Sequence, residues 1–88
     1  MAEVVEDEDL NHAQVCFEQI KHPSFKEMDK DGQDIVFLYL VSFLNDYWIR
    51  ERESVEINRV VGLYNNYFKD NYGRQIYYTQ GVFKIKNI

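Results

Sequence analysis

Apolar residues recur at intervals of three and four in the first quarter of the chain, a spacing that places side chains on one face of an α-helix. They are Leu10, Ala13, Phe17 and Ile20. Acidic residues precede this set, and negative charge is favourable at the N-terminal end of a helix. Pro23 follows and cannot continue a helix. The pattern therefore predicts an amphipathic helix over residues 8–21.

A polar stretch, SFKEMDKDGQD, separates this helix from the next apolar run. Its serine is followed three residues later by glutamate, which is typical of a capping box and predicts a helical turn over residues 25–29. The remainder resembles a calcium loop with Gly32 at its sixth position, but the twelfth position is Leu38, where calcium requires a bidentate glutamate. We therefore predict a solvated turn without calcium, in which Asp31 caps the following helix.

Residues 33–51 form the most apolar segment of the chain. At about 100° per residue, one broad helical face collects seven large side chains. They are Phe37, Leu40, Val41, Phe43, Leu44, Tyr47 and Trp48. The opposite side presents Ile35, Leu38 and Tyr39 in its early turns, so their burial requires a further element or another molecule. A buried strand over residues 35–41 is the alternative, and a helix is favoured because the amphipathic pattern continues for two more turns.

A third helix is predicted over residues 55–72, with Ser54 as its N-cap and Gly73 as its terminator. Its core stripe consists of Ile57, Val60, Val61, Tyr64 and Phe68. The residues that follow, 74–87, alternate like a β-hairpin around a two-residue Gln-Gly turn. This turn pairs Ile76 with Ile85, Tyr78 with Phe83 and Tyr77 with Lys84. The sequence therefore predicts an α+β fold: a small three-helix bundle with a short extra helical turn and a C-terminal β-hairpin.

Charge divides the chain into two parts. The net charge is −5, and residues 1–9 contain five acidic residues, whereas the other ten acidic residues are balanced by ten basic ones. We predict a flexible acidic arm over residues 1–9 and a single globular domain over residues 10–88. The domain is small enough that a partner would supply part of its stability.

The cellular location is predicted from cysteine usage and hydropathy. A lone cysteine, Cys16, excludes an internal disulfide and suits a reducing cytoplasm. The acidic beginning of the chain is unlike a signal peptide. The apolar run over residues 35–44 is shorter than the roughly 20 residues that span a bilayer. We therefore expect a cytoplasmic protein without a membrane segment.

Candidate chemistry is sparse. His12 and Cys16 lie four residues apart with His22 nearby, but structural zinc requires four ligands at a recognisable spacing. The only thiol lacks a recognisable base and orienting group, and no glycine-rich phosphate loop is present. Acidic residues at 51, 53 and 56 alternate with arginines, which is typical of a solvated, charge-paired face. The sequence predicts neither an enzyme nor a bound metal or cofactor.

The outward arc of the third helix gives the alternative functional hypothesis. Asparagine and arginine read base edges, lysine contacts phosphate, and a helix followed by a hairpin is the order of a winged-helix reader. The residues that would serve are Asn58, Arg59, Asn65, Asn66, Lys69, Lys84 and Lys86. Residues 45–88 contain seven basic and five acidic residues, a weak basic footprint for a nucleic-acid binder. Helix 55–72 and hairpin 74–87 therefore carry the alternative hypothesis, with nucleic acid the less favoured partner.

Seven tyrosines exceed what one small core encloses with all hydroxyls satisfied, and partly exposed tyrosine is favoured at protein interfaces. The interface candidates are Ile35, Leu38, Tyr39, Tyr67, Tyr72 and Tyr77. The favoured hypothesis is a small non-catalytic interaction module, a regulator, inhibitor or adaptor, that binds another protein or a second copy of itself. The asparagine- and tyrosine-rich, proline-poor composition is also compatible with a phage or viral accessory protein.

Overall fold

The computed structural model of the protein describes residues 8–51 and 55–88, which form three α-helices, one 3₁₀-helix and a C-terminal β-hairpin. Their bounds are α1 Glu8–Lys21, the 3₁₀-helix Pro23–Glu27, α2 Lys30–Arg50, α3 Val55–Tyr72, β1 Arg74–Thr79 and β2 Val82–Asn87. The predicted α+β fold is confirmed. Helix α1 begins at Glu8, so the last two residues of the predicted acidic arm belong to α1. Residues 1–7 lie outside the described part of the chain.

The start of α2 differs from the prediction. Asp29, not Asp31, is the N-cap, because its backbone is extended and its side chain accepts a hydrogen bond from the Gly32 N–H at 2.9 Å. Asp31 falls in the first turn, where its charge still complements the helix end. The helix therefore begins three residues earlier than predicted, and the alternative strand over residues 35–41 is wrong. The predicted Ser54 cap lies outside the described residues.

The short helix also starts earlier than predicted. It begins at Pro23 because proline, with its fixed φ and missing N–H, suits the first position of a helix. His22 provides the cap, since its Nδ1 accepts a hydrogen bond from the Ser24 N–H at 3.2 Å. The short helix buries Phe25, whose carbonyl accepts a hydrogen bond from Gln33 of α2 at 2.9 Å. The short helix therefore covers one end of the core.

The hairpin register is the predicted one, with Ile76 opposite Ile85, Tyr78 opposite Phe83 and Tyr77 opposite Lys84. The turn residues Gln80 and Gly81 have φ values of 52° and 86°. Positive φ at both central residues is required in the two-residue turn whose twist matches the strands. The turn therefore fixes which side chains of the hairpin face the helices.

The helices and strands surround one aromatic core. Asp9 near the start of α1 pairs with Arg50 at the end of α2, so these helices pack antiparallel. β2 packs on α2, and β1 packs on α3. The largest fully buried side chains are Tyr64, Phe25, Phe37, Phe68, Ile20, Leu40, Leu44, Ile57 and Ile76. Four predicted core residues at the edges of their helical faces are only partly buried: Phe43, Trp48, Val60 and Val61.

Candidate protein-interaction surface

An exposed apolar stripe follows the outer side of α2. We name it the α2 stripe, and its residues are Ile35, Leu38, Tyr39, Ser42, Asp46 and Ile49. Its four large apolar side chains are all more than half exposed: Ile35 by 52%, Leu38 by 59%, Tyr39 by 59% and Ile49 by 66%. The opposite side of the helix is buried in the core. The structure therefore groups three of the predicted interface residues on one exposed surface.

The neighbours of α2 lie beside the stripe and do not cover it. On one side, Asn45 holds β2 through the backbone of Phe83, donating to its carbonyl at 3.0 Å and accepting from its N–H at 2.7 Å. On the other side, the His12 ring of α1 lies 4.9 Å from the Phe43 ring. Because α1 and β2 occupy the two flanks, the α2 stripe runs uncovered between them.

A cavity of about 270 Å³ adjoins the N-terminal half of the stripe. It is lined by Lys30, Asp34, Leu38, Arg74, Ile85, Lys86 and Asn87. Leu38 belongs to both the cavity and the stripe, so the two form one continuous surface. Three cationic side chains and one carboxylate give the cavity lining a net positive charge at neutral pH.

Arg74 and Asp34 form the electrostatic centre of this cavity. The guanidinium of Arg74 pairs with the Asp34 carboxylate and lies 4.6 Å from the centroid of the Phe37 ring. Lys30 donates a further hydrogen bond to Asp34 at 3.1 Å. These hydrogen bonds, from Arg74 first and Lys30 second, hold the pKa of Asp34 below its usual value. The ion pair thus joins α2 to the open end of the hairpin.

Asp34→Asn is expected to destabilise the protein in a pH-dependent way. Because the pKa of Asp34 is lowered by folding, its contribution is present above the ordinary carboxyl pKa and is lost as the pH falls through the lowered value. The difference in Tm between wild type and variant should therefore be largest near neutral pH and shrink in acid. Thermal unfolding followed by circular dichroism from pH 7 to pH 2 measures it, and a difference that is the same at every pH would contradict the assignment. Asp31→Asn is the control, because it removes the same charge from the same helix without touching Arg74.

A second concave surface, the α1–α3 groove, has a volume of about 390 Å³. Its lining consists of Gln14, Phe17, Glu18, Lys21, Leu63, Asn66, Tyr67, Asp70 and Asn71. Its floor is aromatic, since the Phe17 ring stacks on Tyr64 with centroids 4.3 Å apart and meets the edge of Tyr67 at 5.7 Å. Burial raises the pKa of Tyr64, so this hydroxyl stays protonated and donates to Gln14 at 3.1 Å. The groove is a polar-rimmed cleft over an already closed core.

The three remaining interface candidates are spread over the molecule. Tyr72 packs edge-on against Phe25 and Phe37, and its hydroxyl donates to the Ile20 carbonyl at 3.2 Å. Its partly buried ring packs against the core beside the end of α1, and burial raises the pKa of its hydroxyl. Tyr67 lines the α1–α3 groove. Tyr77 lies on the outward face of the hairpin with the Lys86 ammonium 4.9 Å from its ring centroid. None of the three belongs to the α2 stripe.

The nucleic-acid candidates also separate. Asn65 donates to the Ile76 carbonyl at 2.9 Å and accepts from the Ile76 N–H at 2.6 Å, so both ends of its amide are already bonded to β1. Arg59 pairs with Glu56. Three other α3 candidates are exposed, and two hairpin candidates are exposed on β2: Asn58, Asn66, Lys69, Lys84 and Lys86. The Asn65 amide, which was expected to read bases, is therefore occupied by its hydrogen bonds to β1.

Two asparagines were not recognised from the sequence as structural residues. Asn45 of α2 and Asn65 of α3 each bond an N–H and a C=O on opposite edges of the hairpin. In an antiparallel pair, alternate residues direct these groups outward, where they lack a strand partner. Each asparagine therefore takes the place of a neighbouring strand. In the sequence, the only sign of this structural role is an asparagine next to the apolar positions of a helix. Exposed residues such as Asn58 show the same sign, so it does not identify the structural asparagines.

In residues 8–51 and 55–88, histidine, cysteine, aspartate and glutamate side chains form no cluster of three or more that could hold a metal ion. Cys16 is a free, half-buried thiol whose pKa is raised by burial. In the same ranges, every helix is too short or too polar to cross a bilayer.

Comparisons with protein-family models, with curated proteins and with solved structures gave no match to this chain.

Proposed function

We propose that this protein is a small non-catalytic interaction module that binds another protein chain through the α2 stripe. The observation that carries the proposal is the exposure of Ile35, Leu38 and Tyr39 within two turns of a helix whose other side already fills the core. Contiguous exposed apolar side chains on a small domain are typical of interaction sites. Leucine and tyrosine give such a surface apolar area together with a hydroxyl that can bond across an interface.

The positive charge of the cavity beside the α2 stripe supports a binding role. Asp34, the carboxylate in the lining of this cavity, is already paired with Arg74 and Lys30. The positive rim of the cavity beside the stripe is suited to accept a carboxylate from a partner.

Leu38→Glu is expected to weaken partner binding at least tenfold. Completing the burial of a leucine contributes up to about 1.5–3 kcal/mol, and about 1.4 kcal/mol corresponds to a factor of ten in affinity. The binding experiment places the photo-crosslinking residue p-benzoylphenylalanine at position 38 in cells that naturally make the protein, followed by mass spectrometry of the adducts. We expect an adduct at position 38. Excess unlabelled wild-type protein should abolish this adduct by competition, whereas excess Leu38→Glu protein should leave it in place.

Leu63→Glu is the matched control, because Leu63 is 52% exposed on α3 and lies in the α1–α3 groove. It should compete as well as wild type. If Leu63→Glu fails to compete and Leu38→Glu succeeds, the binding surface is the groove and the proposal is wrong. Tight, salt-sensitive binding to duplex DNA that is lost in a Lys84→Ala and Lys86→Ala variant would instead favour the nucleic-acid hypothesis.

A further inference from the structure

We infer that the chain bound by the α2 stripe is a second copy of this protein, packed antiparallel across a two-fold axis that passes beside Ser42. This inference names the partner of the proposed interaction surface and therefore rests on the proposed function. Its basis is the order of side chains along the stripe, which is complementary to the same stripe read in reverse.

The apolar ends of the stripe are symmetric about Ser42. Ile35 lies seven residues before it and Ile49 seven residues after it, and seven residues are about two helical turns. A two-fold axis at Ser42 therefore places Ile35 of one copy opposite Ile49 of the other, twice in the dimer. Leu38, four residues before Ser42, falls at the level of Asp46 of the second copy but about 80° away around the helix, so it lies beside the carboxylate and not against it. All of these apolar side chains are more than half exposed in the single chain.

The only ionised group of the stripe finds a partner in the same arrangement. Asp46 follows Ser42 by four residues and Tyr39 precedes it by three. The axis therefore brings the Tyr39 ring of one copy to within about one residue, or about 1.5 Å along the helix, of Asp46 in the other. The two residues lie within about 20° of each other around α2, and a perpendicular two-fold axis places like sides together. The tyrosine hydroxyl can then donate to the carboxylate that would otherwise be buried on an apolar surface.

The crossing point itself carries a small side chain. Helix axes approach to about 8–10 Å according to the size of the side chains at the contact, and a serine on the axis permits the close end of that range. The flanking elements, β2 and α1, lie beside the stripe and do not overhang it, since the stripe side chains remain exposed. A single helix pair forms a small interface, so we expect dissociation in the micromolar range.

Analytical ultracentrifugation and light scattering over a range of concentrations measure the assembly. Wild type should approach twice its 10.6 kDa chain mass at high concentration. Leu38→Glu should remain near one chain mass, with dimer dissociation at least tenfold weaker, whereas Leu63→Glu should dimerise like wild type. Tyr39→Phe and Asp46→Asn should each weaken the dimer, and the double variant should lose no more than the larger single loss if the two groups bond each other.

A disulfide test reports the register without depending on a charged substitution. In a Cys16→Ser background, Ser42→Cys places the only thiol on the axis, so oxidation should join two chains rapidly. Asn66→Cys, exposed on α3, should join them only slowly. Equal rates, or a wild type that stays monomeric at every concentration, would overturn the inference. A monomeric wild type whose position 38 still crosslinks to a different protein would leave the proposed function intact, whereas failure to capture any protein at position 38 would remove both.

Discussion

Phe37→Ala is expected to lower the free energy of unfolding by about 3–5 kcal/mol, the usual cost of truncating a fully buried aromatic side chain. The Phe37 ring is completely buried and meets Phe25, Phe68 and Tyr72 edge-on, with centroids 5.0–5.7 Å apart. Its other face lies under the Arg74 guanidinium. Truncation therefore removes contacts to three neighbouring elements at once, since these partners belong to the 3₁₀-helix, α3 and β1.

Urea unfolding followed by circular dichroism measures this loss, with Phe43→Ala as the matched control on the same helix. Phe43 is only partly buried, so its truncation should cost clearly less. Small domains have about 5–15 kcal/mol of stability in total, so Phe37→Ala should leave much of the protein unfolded near 37 °C. Equal losses for the two variants would show that the core is not centred on Phe37.

Asn65→Leu is expected to cost about 2–6 kcal/mol by leaving two backbone groups of Ile76 without partners. Each unsatisfied buried donor or acceptor costs about 1–3 kcal/mol, and Asn65 bonds both the N–H and the C=O of this residue. The nearby amide Asn66 is exposed, so Asn66→Leu should have little effect. Unfolding in urea gives the free energies, and amide exchange by NMR should show faster exchange at Ile76 in the Asn65 variant alone.

The charged substitution Asn65→Asp adds a pH signature to this test. The carboxylate still accepts from the Ile76 N–H but repels the Ile76 carbonyl, so the folded protein favours the protonated acid and raises its pKa. An acid whose pKa is raised by folding stabilises the protein at low pH and loses that contribution as the pH rises through the raised value. Asn65→Asp should therefore approach wild-type stability in acid and fall below it at neutral pH. A deficit that does not change with pH would mean that the Ile76 carbonyl is not the group opposed by the introduced charge.

The two asparagines that bond the hairpin also affect function. Asn65 bonds one edge of the hairpin to α3 and Asn45 bonds the other edge to α2, so the hairpin packs as a fixed part of the core. A hairpin fixed in this way keeps β2 against one flank of α2 and leaves the α2 stripe open. Variants at Asn65 should accordingly reduce stability and, through it, partner binding, whereas Leu38→Glu should reduce partner binding without a comparable loss of stability.

The amino-acid sequence by itself determined the bounds of α1 and α3 and the register of the hairpin. The bounds 8–21 and 55–72 were predicted correctly because helical periodicity and the terminators Pro23 and Gly73 act over a few neighbouring residues. The register of the hairpin followed from one two-residue turn and the alternation of its strands. The start of α2 was wrong by three residues because Asp29 and Asp31 are both suitable caps, and only the backbone conformation at Asp29 decides between them.

Only the tertiary structure decided which polar and aromatic side chains were already engaged. Asn65 bonds a residue 11 positions away, Asn45 one 38 positions away and Tyr72 one 52 positions away. No local pattern distinguishes Asn65 from Asn66, or Tyr72 from Tyr39. The members of each pair differ only in which distant residues contact them in the folded chain. The same reason applies to the α2 stripe. Its surplus apolar side chains were visible in the periodicity, but their exposure depends on α1 and β2 lying along the flanks of α2 and not across it.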